Sequence, residues 1–158
     1  MDDHFLNALF GDVFGDALDD LSRDVSRVLQ TKISAGLAAR SYLSAHDKVR
    51  IAIIVAYAYR CDDALSGQLA QGRALGLNGA EMDANKAGSS HDASATEVMR
   101  FCAALLARPS TLTLKHFRQL RWAGYGDEAV EEIVMHLILH ARHCLAARRA
   151  VPSTASNL

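Results

Sequence analysis

Three cysteines stand far apart in this chain, at positions 61, 102 and 144. A thiol does chemistry as its thiolate, so the surroundings of each sulfur decide whether it can attack, be oxidised or bind a metal. Cys61 sits where an apolar run, Ile51 to Tyr59, meets a second helical stretch, Leu65 to Leu75. A helix start there favours a thiolate, and the like charges of Asp62 and Asp63 beside it oppose that. Cys102 lies in the apolar stretch Phe101 to Leu106 and reads as a core residue. Cys144 follows His143, but adjacent side chains on a helix point about 100° apart and do not face each other.

The last third of the chain offers a second set. Glu132, His136, His140 and His143 are spaced four, four and three apart, so they share one helix face. Two histidines one turn apart can grip a metal, with the carboxylate as a third ligand. Such a spacing without a further ligand motif is common by chance, and Arg142 nearby repels a cation. The reading here is no metal site and no cofactor. Asp47, Asp62 and Asp63 suit helix starts better than paired acid–base work. Arg50 and Arg60 flank the apolar helix and read as surface ion pairs.

The elements that position these residues are helices. No stretch alternates apolar and polar residues long enough for a sheet, and alanine and leucine abound, so the chain is expected to be all-α. An amphipathic segment from Asp3 to about Gly36 (Leu18, Leu21, Val25, Val28, Leu29) is followed by a capping signal at Ser44-Ala45-His46-Asp47. That signal opens a helix from Ala45 to Arg60, apolar nearly all round after Arg50 and therefore central. A helix from about Asp63 to Leu75 ends at Gly76. Gly79 to Ala95 reads as a short helix and a polar loop, with Gly88 to Asp92 the weakest-structured interior stretch. Ser94-Ala95-Thr96-Glu97 reads as a capping box for a helix ending near Pro109. Two more helices cover Leu114 to Trp122 and Asp127 to about Arg149, the last acidic at its start and basic at its end.

Of 158 residues, 50% are apolar and 22% charged, with two prolines and a net charge of −1. That length suits one domain, divided here into a helical segment (1–43), a core (44–150) and a frayed tail (151–158). The charge leaves no footprint for nucleic acid. The longest apolar run is about half a membrane span. Three widely spaced cysteines and an acidic N-terminus without a signal peptide lead us to expect a cytoplasmic protein with reduced thiols.

The order of helices from Ser44 to Ala150 is similar to the alkylhydroperoxidase D / carboxymuconolactone decarboxylase superfamily, peroxidase-related branch. The residues that carry the resemblance run from Val49 through Leu77, with Leu69-Ala70-Gln71-Gly72-Arg73-Ala74-Leu75-Gly76-Leu77 its plainest part. A second part follows in Met99 to Leu105 and in Ala123-Gly124-Tyr125-Gly126-Asp127-Glu128. The resemblance implies a single-domain all-helical bundle that forms homodimers, trimers or hexamers. It also implies a redox motif, Cys-x-x-Cys-x-x-x-His, with a glutamate twelve residues upstream of the first cysteine. In it one thiolate attacks a peroxide, a second thiol resolves the sulfenic acid, and the glutamate and histidine relay protons.

Here Cys61 matches the first cysteine, the resolving one. Ala64 replaces the attacking cysteine, Gln68 the histidine and Val49 the glutamate. Glutamine exchanges no proton near neutral pH. Asp47, about 200° round the helix from Val49, is no substitute. The expectation is a relative without the two-cysteine cycle, with Asp63 and Gln68 lining a pocket beside Cys61 for a small-molecule ligand. The alternatives are a peroxide-reducing enzyme using Cys61, a lyase of the carboxymuconolactone decarboxylase kind, or an interaction module. The main expectation fails if folding brings Cys102 or Cys144 against Cys61 with a histidine alongside.

Overall fold

A computed structural model describes residues 41–107 and 112–150. Residues 1–40 of the expected N-terminal helical segment and the tail (151–158) lie outside the described residues. Among the described residues there are six helices: α1 (Ala45–Ala58), α2 (Asp62–Ala74), α3 (Gly79–Lys86), α4 (Ala93–Ala107), α5 (Leu114–Trp122) and α6 (Asp127–Ala150). Among the described residues there is no strand, so this part of the chain is all-helical. No helix in it is long and apolar enough to cross a membrane.

Helix α1 starts where the sequence places it. The Asp47 amide donates to Ser44 Oγ at 3.0 Å, and the Asp47 carboxylate accepts from the Ser44 amide at 3.3 Å, a reciprocal cap. Beyond the cap, every residue from Val49 to Ala56 is buried. A helix that is apolar on all sides must be enclosed. Helices α2, α3, α4 and α6 all pack on it, while α5 packs on α4. The main core joins α1, α4 and α6 through Ile51, Val55, Val98, Phe101, Ile133 and Leu137. Phe117 closes it from α5, edge-on to Phe101 at 5.4 Å.

The end of α1 differs from expectation. Arg60 adopts φ 52°, in the left-handed region, and the helix stops at Ala58. The Arg60 amide donates to Tyr57 O at 3.1 Å and the Cys61 amide to Ala56 O at 2.9 Å. These two bonds form a Schellman turn, which satisfies carbonyls that the helix end would otherwise orphan. The turn reverses the chain, and Cys61 becomes the N-cap of α2.

A second difference concerns the loop from Gly88 to Asp92, which is held rather than loose. Glu81 on α3 accepts from Ser90 Oγ at 2.6 Å and from the His91 amide at 2.7 Å. Asn85 Nδ2 donates to Ser89 O at 3.0 Å. With the loop fixed, Asp92 rather than Ser94 caps α4, accepting from the Ala95 amide at 2.8 Å. Glu97 pairs instead with Arg100 at 2.7 Å.

Candidate redox site: two thiols at the α1–α2 junction

The path of α6 decides what lies beside Cys61. Its buried residues include Val130, Val134, Leu137, Ala141 and Cys144, spaced four, three, four and three apart. That spacing is one continuous helix stripe, and Cys144 is its last position. Near the start of the stripe, Glu132 accepts from Ser41 Oγ at 2.7 Å and from the Tyr42 amide at 2.6 Å, beside the start of α1. At the other end Cys144 meets Ala56 and Cys61, beside the end of α1. Helix α6 therefore runs parallel to α1.

Cys61 and Cys144 share one small cluster with Ala56, against which Tyr59, Ala64 and Leu65 pack. Cys61 is 7% exposed and Cys144 1% exposed. The Cys61 side chain makes no cap bond to α2, so its sulfur is turned inward to the pair. Both are free thiols. Burial, and then the hydrogen bond it donates to Cys61, push the Cys144 thiol up to about 12. Burial and the nearby Cys144 also raise the phenol of Tyr59.

The pair sets a second sulfur beside Cys61. Ala64 does stand where the motif would place a cysteine. The fold supplies one from α6 instead, which no local spacing could reveal. The stripe from Val130 was the one available signal, since it put Cys144 on the buried face. Cys102, also wholly buried, lies in the main core as expected, and burial raises its thiol. Asp62 and Asp63 are exposed, and Gln68 is partly buried on α2. Both residues named for a pocket, Asp63 and Gln68, thus stand on α2, and Tyr59 is a further neighbour of the pair.

The histidine face of α6 is otherwise occupied. The Glu132 carboxylate holds the chain ahead of α1 and lies 3.6 Å from both Lys48 Nζ and His136 Nε2. Burial opposes its ionisation, but the bonds from Ser41 and Tyr42 and the Lys48 charge outweigh burial and lower its pKa. His140 stacks on His136 with ring centroids 6.3 Å apart. Burial, with His136 and His143 as like-charged neighbours, holds His140 down at about 4. His143 is exposed. Among the described residues no group of three or more His, Cys, Asp or Glu could hold a metal ion.

Arg50 also departs from the surface role expected of it. It is buried, with Nε 2.9 Å from Glu81 and a terminal nitrogen 3.3 Å from Asp47. Tyr125 joins through a hydrogen bond to Asp47, which together with burial pushes its phenol up to about 12. This network ties α1 to α3 and the following loop, and its carboxylates are consumed in doing so. An open groove of about 360 Å³ between α4 and α5 contains Ser94, Glu97, Gln119 and the 83%-exposed Trp122, but no cysteine or histidine. Among the described residues, the dithiol is thus a place where reactive side chains converge.

Comparisons with protein-family models, curated proteins and solved structures find no match for this chain.

Proposed function

We propose that this chain reduces hydroperoxides with Cys61 and Cys144 as a dithiol, on a helical bundle of the alkylhydroperoxidase D-like kind. The contact between the two thiols carries the reading. Cys61 is the attacking sulfur, because it lies at a helix start and is the less buried of the two. Its thiolate attacks the terminal oxygen of the hydroperoxide, the O–O bond breaks, and Cys61 becomes a sulfenic acid as an alcohol departs. Cys144 then attacks the sulfenic sulfur, its proton leaves with the hydroxyl as water, and a disulfide forms between α2 and α6. An external dithiol returns both sulfurs to thiols and is oxidised in turn. The homo-oligomer implied by the resemblance belongs to the same proposal.

Turnover of tert-butyl hydroperoxide with dithiothreitol tests this. Cys61→Ala is expected to abolish turnover. Cys144→Ser is expected to cut it at least about 100-fold and to leave a trappable sulfenic acid at Cys61. A parent no faster than Cys61→Ala defeats the reading. That outcome favours a second one, a redox-silent relative that binds a small molecule beside Cys61. Its support is the loss of both relay positions: Val49 is a 2%-exposed core residue and Gln68 does not titrate.

A further inference from the structure

A hydroperoxide gives up its alkoxide only if a proton arrives as the O–O bond breaks. The two motif positions that would relay one hold Val49 and Gln68, so the proton must come from elsewhere. Cys144 keeps its own for the resolving step. Asp62 and Asp63 are exposed at the start of α2.

Among the described residues, Tyr59 brings an acidic hydrogen against the sulfurs. Tyr59 is the C-cap of α1, two residues before Cys61. The left-handed turn at Arg60 folds the chain back between them. Its partly buried ring packs on the Cys61, Cys144 and Ala56 cluster. We propose that Tyr59 is the acid of the first step, donating its phenolic proton to the departing alkoxide. The inference rests on the hydroperoxide reading above.

The step balances. The Cys61 thiolate gains the terminal oxygen with its hydrogen, the alkoxide takes the Tyr59 proton, and solvent returns to Tyr59 the proton first lost by Cys61. An alkoxide is a stronger base than a phenolate, so the transfer is downhill. Because burial and Cys144 raise the phenol, Tyr59 stays protonated throughout the neutral range.

Leaving-group chemistry provides the test. Oxidation of Cys61 is followed in single turnover for the parent and for Tyr59→Phe, using tert-butyl hydroperoxide and peracetic acid. Acetate is a weak base and departs without an acid. Tyr59→Phe is therefore expected to slow the alkyl hydroperoxide by about 100-fold and peracetic acid by less than about threefold. A retained rate with peracetic acid also shows that the variant is folded. Equal slowing with both oxidants, or no slowing with either, overturns the role of Tyr59 and leaves the dithiol intact. A parent whose Cys61 reacts with neither oxidant overturns both proposals.

Discussion

At neutral pH Cys144 keeps its proton, because burial and its bond to Cys61 push the thiol up to about 12. Attack on a sulfenic acid needs the thiolate. Below its pKa, the thiolate fraction of any thiol grows tenfold with each pH unit. The resolving step is therefore expected to accelerate about tenfold per unit from pH 7 to 10, with no levelling near the ordinary cysteine value of about 8.5. Rapid-quench trapping of the sulfenic acid against disulfide yield checks this; a plateau by pH 9 would contradict the high thiol. Glu81 shows the opposite balance. Burial resists its ionisation, yet bonds from Ser90, His91, Asn85 and Arg50 outweigh it and bring the carboxyl down to about 2. Two buried groups thus move in opposite senses: Cys144 must donate to its neighbour, and Glu81 accepts from all of its own.

Helix ends show where the backbone has accepted strain. Helices α1, α2, α3 and α5 all finish in the same paired-bond turn, with Arg60, Gly76, Gly88 and Gly124 at the left-handed position. Three are glycines, which adopt that conformation freely, and Arg60 is the exception. A side chain there costs roughly 1 kcal/mol. Arg60→Gly is expected to stabilise the fold by about 0.5 to 1 kcal/mol after allowing for the freer unfolded chain, read as a higher urea midpoint. A loss of stability would mean that the arginine side chain makes a compensating contact. The strained residue immediately precedes Cys61, and strain of this kind clusters at functional positions. Gly88 has a separate requirement, since a Cβ there would come within 2.8 Å of the Ala103 Cβ.

Across the molecule, α1 is enclosed and α6 lies parallel to it, with Glu132 at one end of the pair and Cys144 at the other. Stability should fall with acid in two stages. The pKa of His140 is held down at about 4, below the ordinary 6.5. Its contribution is complete above pH 6.5 and is lost as pH falls towards 4, because the unfolded chain takes up the proton first. His136 is shifted the same way by burial and adds to that stage. Glu81 contributes above its ordinary 4.5 and loses that contribution as pH falls towards 2. Urea midpoints measured from pH 8 to 2 are expected to decline first below about 6.5 and again below about 4.5. His140→Gln should reduce the first decline. Glu81→Gln should reduce the second while lowering stability at pH 7 by about 3 kcal/mol, since Arg50 then loses its buried partner. A single decline confined to pH below 4.5 would contradict the His140 shift.

Local chemistry made much of this architecture legible in the residues themselves. Ser44 with Asp47 marked the start of α1, Gly76 and Gly124 marked two helix ends, and the unbroken apolar run from Ile51 to Ala56 required a covered helix. Each of those signals is carried by neighbours within about one helical turn, where backbone hydrogen bonding and side-chain period are decided. The fold class and the burial of Cys102 follow from the same rules. Three things did not: the burial of Arg50, the Glu81 anchor on the loop before α4, and the meeting of Cys61 with Cys144. These pairings depend on how α1, α3 and α6 align, and packing of the whole core sets that alignment. Periodicity names the face a residue turns inward, whereas only the assembled helices determine which residue it finds there.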